Sequence, residues 1–213
     1  AFMENSISKT FSRDEVRDTV LSGYMGLIKQ IDDQLGELFN FLDDQGKTDE
    51  TMIVFTSDHG DYLGDHWLGE KELFHEASVK IPLIIVDPRK LADKTRDTAC
   101  NELVEAIDLL PTFIESVGLK VPTGRLEGKS LLPLIYGKTE KSFRETVFSE
   151  FDYGIYPVRN KLDVGINDAR IFMIRDHRWK YIYFKGFDPQ LFVLKNVPNE
   201  FNYLGNCPKH EEI

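Results

Sequence analysis

Thr56-Ser57-Asp58-His59-Gly60-Asp61-Tyr62-Leu63-Gly64-Asp65-His66-Trp67-Leu68-Gly69-Glu70-Lys71 follows directly on the apolar run Met52-Ile53-Val54-Phe55. The run is β-branched and aromatic and too short for a helix. It reads as a strand buried on both faces, as in a parallel sheet. Asp58 and His59 then fall just past its carboxyl end, where open α/β sheets bind their ligands. A carboxylate oxygen and an imidazole nitrogen are both competent metal ligands, and Gly60 lets the backbone turn sharply behind them. Taken alone, an Asp–His pair at a strand end serves as readily as a turn or capping pair. Two ligands also fall short of a shell of about four to eight donors. Neighbouring residues in a strand face opposite ways, so a shared cleft requires the strand to end by Ser57.

Working outward, a second apolar run, Ile81-Pro82-Leu83-Ile84-Ile85-Val86, is ended by Asp87-Pro88. Upstream, Val16, Val20, Tyr24, Leu27, Ile28, Ile31, Leu35, Leu38, Phe39 and Leu42 recur at helical spacing and predict a helix over residues 13–45. Ser12 and Glu15 form its capping box, Gly46 stops it, and Gly23 or Gly26 offers a place for a bend. Asp33, Glu37, Asp43 and Asp44 make a solvated outer face. Asp108 is expected to cap a helix over residues 109–117, with Pro111 in its first turn and Gly118 as C-cap. Strand, loop, strand, helix is α/β grammar.

Beyond Gly137 the pattern changes. Residues 145–151, 170–175 and 179–184 read as strands, Arg175-Asp176-His177-Arg178 as a hairpin turn, and 151–169 as loop. Tyr181-Ile182-Tyr183-Phe184 belongs to a strand rather than to a base-stacking platform, and His177 is solvated. A boundary near 138–144 divides an α/β domain over 1–140 from a small antiparallel-sheet subdomain over 141–213.

The chain has 213 residues, 41% hydrophobic and 29% charged, with 15 Phe, 8 Tyr and 2 Trp, enough for a packed core rather than a disordered segment. A formal net charge of -10 argues against nucleic acid as a partner. It leaves room for a small anionic substrate, because a local cation or metal outweighs the global sign. No apolar run of about 18 residues predicts a membrane span, and two cysteines make no disulfide framework. No Gly-rich phosphate loop precedes a helix. No signal peptide is visible behind Ala1-Phe2-Met3, which leans the expected location towards the cytoplasm.

The order T-S-D-H-G-D-x-x-G-D-H, followed by G-E-K-x-x-x-x-E-x-S-V-K-I-P-L-I-I, resembles the C-terminal part of the catalytic domain of sulfatases, members of the alkaline phosphatase superfamily. Ile31-Asp32-Asp33-Gln34-Leu35-Gly36, Asp108-Leu109-Leu110-Pro111-Thr112, Gly128-Lys129-Ser130-Leu131-Leu132-Pro133-Leu134, Arg178-Trp179-Lys180-Tyr181 and Gln190-Leu191-Phe192 extend the likeness over nearly the whole chain from about residue 15. Gly64-Asp65-His66-Trp67-Leu68-Gly69 and the long tail from Ser149 lean towards the phosphonate monoester hydrolase branch. The resemblance implies an alkaline-phosphatase-like α/β/α domain followed by the antiparallel subdomain. It makes Asp58 and His59 ligands of a divalent metal, calcium or manganese first and zinc third. It makes Lys71 the lysine that contacts a sulfate or phosphonate oxygen and supports the leaving group, where negative charge gathers in the transition state. His75 stands where relatives often carry an aromatic residue and is expected to pack or to form the site wall. His66, with Asp65, is expected at the pocket mouth or in the turn, and Asp61 in the loop or behind the ligands.

Two departures qualify the resemblance. Val193 and Val197 stand where relatives carry acids, with Lys195 between them. The C-x-P-x-R or S-x-P-x-R motif from which such enzymes make their formylglycine is absent, and Cys207-Pro208-Lys209-His210 does not supply it. The expectation is therefore the C-terminal portion of a metal-dependent hydrolase of sulfate esters or phosphonate monoesters. Its nucleophile and remaining ligands would come from a missing N-terminal portion, and the isolated chain would be inactive. The alternative is a non-catalytic folded module or truncated product acting by association. On either reading further copies of the chain are a possible partner.

Overall fold

A computed structural model describes residues 10–11, 13–122, 124–138, 142–195, 199–202 and 204. Ser12 of the expected capping box, Val197 and Cys207 lie outside them.

The helical periodicity yields α1, Asp14–Asp44, within a residue of the expected ends. Gly46 stops it at a φ of 62°, a left-handed turn that closes with the Lys47 amide on the Leu42 carbonyl at 2.8 Å. None of its described side chains is buried, and Leu27, Ile28, Ile31 and Phe41 are each about half exposed.

The chain divides into two compact units of interleaved segments. One comprises Ala1–Lys29, His59–Ile81 and Phe148–Ile213; the other comprises Gln30–Asp58 and Pro82–Val147. In the second, β1 (Ile53–Thr56) pairs with β2 (Leu83–Val86) in antiparallel register, Thr56 opposite Leu83 and Ile53 opposite Val86. This corrects the expectation of a parallel strand buried on both faces. The two strands form a two-stranded sheet, and their residues are half-buried or exposed, because no other described strand flanks them.

A helix spans Leu109–Ser116, and Gly118 ends it at a φ of 79°. Asp108 does not cap that helix with its side chain. Its Oδ2 instead accepts the Glu105 amide at 2.8 Å, one turn earlier, and its Oδ1 accepts the Lys129 amide at 2.7 Å and Arg144 Nη2 at 2.6 Å. The carboxylate thus ties three segments together, while burial pushes its pKa up.

β3 (Val147–Asp152), β4 (Arg170–Arg175), β5 (Trp179–Phe184) and β6 (Gln190–Val193) form one four-stranded sheet in that order, which from Phe148 onward belongs to the first unit. β4–β5 and β5–β6 are antiparallel. The Arg175–Arg178 turn closes as expected, with Asp176 Oδ1 accepting the Arg178 amide at 2.7 Å, and His177 is exposed. The expected loop over 151–169 contains a short helix, Pro157–Lys161, which starts on proline because its fixed φ suits a first turn. Ile171, Met173, Ile182 and Phe192 pack with Phe74, Tyr153, Val158 and Ala169 into the core of this unit. Among the described residues, no helix is long and apolar enough to cross a membrane.

Candidate active site

β1 ends at Thr56, whose hydroxyl donates to the Pro82 carbonyl at 2.9 Å. Asp58 and His59 therefore lie beyond the strand and escape its alternation. Asp58 is exposed and is the last residue of its unit's segment; His59, half-buried, is the first of the other's.

The His59 ring is held from both sides. Nδ1 lies 2.7 Å from the Gly60 carbonyl oxygen. A carbonyl only accepts, so Nδ1 carries the proton and Nε2 the bare lone pair. Nε2 lies 2.8 Å from Lys71 Nζ, whose ammonium donates to it. The structure thus brings together two of the residues singled out in the sequence, His59 and the exposed Lys71.

The backbone beneath them explains the approach. The Gly60 amide donates to the Ser78 carbonyl at 2.7 Å. A Cβ at Gly60 would stand 2.0 Å from the Ala77 carbonyl oxygen, so only glycine fits. Ser78 lies in a one-turn helix, Glu76–Val79, and its hydroxyl donates to the Lys71 carbonyl at 2.7 Å. Between these anchors the chain makes a closed excursion. The Tyr62 amide donates to the Glu70 carbonyl at 3.1 Å and the Gly64 amide to the Leu68 carbonyl at 2.9 Å. Leu63, His66, Trp67 and Glu70 take φ values of 48°, 54°, 56° and 62°, a concentration of left-handed non-glycine residues that costs of order 1–3 kcal/mol apiece.

The remaining candidates separate. Asp61 Oδ1 accepts the Leu63 amide at 2.8 Å and shapes the turn. His75 is 7% exposed and shares a 2.8 Å hydrogen bond with Tyr62 Oη. Burial, then the nearby His66 and Lys180, push its pKa down to about 3. His66 stacks on His75 with ring centroids 4.0 Å apart, and burial lowers its pKa too. With Asp65, Glu76, Ala77, Asn199, Glu200 and Phe201, His66 lines a cavity of about 250 Å3.

Under the one-turn helix lies a buried ionic cluster that reading the sequence misses. Lys180, fully buried, donates to the Phe74 carbonyl at 3.0 Å and sits 2.5 Å from Glu76 Oε1 and 2.7 Å from Glu200 Oε1. Arg175 Nε approaches Glu76 Oε1 at 3.3 Å. These carboxylate oxygens are within ion-pair distance but off the hydrogen-bond directions. A signal existed: Lys180 alternates with Ile182 on the inward face of β5. Ser78 is the serine of the E-x-S-V-K-I-P stretch that carries the resemblance, yet its residue type there points to no particular role.

As metal donors, His59 fits by its protonated Nδ1 and lone-pair-bearing Nε2, and Asp58 by its carboxylate. Among the described residues no group of three or more His, Cys, Asp and Glu could hold an ion.

A family model described as "Sulfatase" matches residues 4–119, and one described as "N-sulphoglucosamine sulphohydrolase, C-terminal" matches residues 64–213. The chain is 36% identical to the multifunctional alkaline phosphatase superfamily protein PehA of Trinickia caryophylli, over 96% of this chain and 40% of that protein. It is 30% identical to arylsulfatase K of Xenopus laevis, over 93% of this chain and 36% of that protein. The solved phosphonate monoester hydrolase SpPMH from Silicibacter pomeroyi superposes with a TM-score of 0.85 at 30% identity, over 93% of this chain and 39% of that one. The chain thus spans well under half the length of these relatives.

Proposed function

The chain belongs to the sulfatase family of the alkaline phosphatase superfamily, and from that premise we propose that it is the C-terminal portion of a metal-dependent hydrolase of sulfate esters or phosphonate monoesters. The observation that carries the reading is the His59–Lys71 contact: an imidazole with its ligating nitrogen exposed to a cation, on the segment that follows β1. Asp58 and His59 would hold part of a divalent ion's shell, with calcium or manganese the preferred metals. Such an ion, when bound, supplies Lewis-acid polarisation of the sulfuryl or phosphoryl oxygens.

This chain's own residues account for the rest. The Gly60 carbonyl keeps the proton on Nδ1 and so keeps Nε2 available. One lone pair serves one partner, so Lys71 must leave Nε2 whenever that nitrogen ligates. The released ammonium can then meet the negative charge that builds on the leaving oxygen. Segments that complete the site, including a formylglycine nucleophile, would lie outside this sequence, which contains neither C-x-P-x-R nor S-x-P-x-R. Two of the matched proteins are described as an arylsulfatase and a phosphonate monoester hydrolase, which supports both ester classes as candidate substrates.

The test is turnover of an aryl sulfate and an aryl phosphonate monoester by the complete enzyme, before and after chelation. Metal-dependent hydrolysis is expected. Lys71→Ala should lower kcat by roughly 10²-fold with little change in KM, as loss of a transition-state contact does. An unchanged kcat would remove Lys71 from the mechanism.

A further inference from the structure

We propose that Ser78 is a positioning residue that fixes the backbone of Lys71 beside that of Gly60, so that the Lys71 side chain is presented from a set place next to His59 whether or not it touches the ring, an inference that rests on the hydrolase reading above. Its backbone carbonyl accepts the Gly60 amide, the residue after His59, at 2.7 Å. Its hydroxyl donates to the carbonyl of Lys71 itself at 2.7 Å. One residue, 4% exposed, therefore holds both ends of the excursion over residues 61–70. The turn that carries it is fixed in turn by the Ser78 and Val79 amides on the His75 carbonyl, at 2.9 and 3.1 Å.

The two bonds are chemically separable. The Gly60 bond is made by the backbone and survives any side chain; the Lys71 bond is made by the hydroxyl alone. Removing the hydroxyl frees the Lys71 end while the His59 end stays seated on the Ala77–Ser78 backbone. Catalytic groups displaced by about 1 Å can lose as much as 10²-fold in rate, so the hydroxyl matters to the reaction through Lys71 and through nothing else.

That consequence sets the experiment. In the complete enzyme, Ser78→Ala should lower kcat about tenfold with KM within about twofold. In a Lys71→Ala background the same change should cost less than twofold, because the group it positions is gone. Equal losses in the two backgrounds would overturn the proposal, since a general structural role adds independently of Lys71. Ser78→Thr keeps the hydroxyl and is the second variant should Ser78→Ala not fold; it should retain at least half of the kcat, and a tenfold loss there overturns the proposal. A readout without turnover separates this inference from the reading beneath it. Hydrogen exchange of the Tyr62 amide, which donates to the Glu70 carbonyl beside Lys71, should quicken about tenfold in Ser78→Ala while the Gly60 amide stays protected. If neither ester is hydrolysed by the parent enzyme, the hydrolase reading fails. Exchange then decides the seat by itself: quickened exchange at Tyr62 supports it and unchanged exchange overturns it.

Discussion

Gly60 shows how a single side-chain hydrogen can set a site. Its backbone lies against the Ala77 carbonyl so closely that a methyl group would stand 2.0 Å from the oxygen, and neither backbone can yield without moving His59. Gly60→Ala is expected to cost about 1–3 kcal/mol, as forced overpacking does, and to lower kcat with it. Urea unfolding and steady-state kinetics of the complete enzyme check both. His75 makes a second residue-scale prediction. Its folded pKa, about 3, lies below the ordinary histidine value near 6.5, so the unfolded chain binds the extra proton first. Stability is therefore full above about pH 6.5 and falls as the pH drops from there towards 3, by at most a few kcal/mol. His66 is shifted the same way and adds to the slope. His75→Gln should flatten the dependence, measured as urea midpoints at pH 7.5 and 5. Asp58, His59 and Lys71 were legible as candidates because order and strand-end position mark them. The seat under them was not, because its bonds run largely through backbone groups that every residue carries.

At the scale of elements, the sheet β3–β6 matters for what it places beneath the one-turn helix Glu76–Val79. Lys180 rises from β5 into the buried space between Glu76 and Glu200. Lys180→Met would leave two carboxylates with less compensation away from water, so a loss of about 3–5 kcal/mol is expected, read as a lower urea midpoint. A stability change under about 1 kcal/mol would show the cluster to be solvated in practice. The strands β4 and β5 and the helix α1 were readable because their periods are long and clean. The pairing of β1 was not: four apolar residues read alike in a parallel or an antiparallel ladder, and only the return of residues 57–82 sets Leu83 opposite Thr56. The side chain of Asp108 was misread for a related reason. A capping carboxylate and one that accepts Glu105, Lys129 and Arg144 look the same in sequence.

For the whole molecule, the expected behaviour follows from what 213 residues contain. The sequence holds no formylglycine motif, and its described residues hold no three-donor metal group. The chain on its own is therefore expected to show no metal-dependent turnover of aryl sulfates or aryl phosphonate monoesters. Activity that persists through rigorous purification would contradict this. The excursion over residues 61–70 has a different consequence. Two backbone bonds, Tyr62 to Glu70 and Gly64 to Leu68, zip its neck shut, while His66 at its tip stacks on the buried His75 and Leu68 is itself buried. The tip is thus tethered on its inner side and decorated on its outer one. Only the exposed side chains of Asp65 and Trp67 are open to rewriting, so a new surface can be presented to the solvent there without shifting the anchors at Gly60 and Lys71.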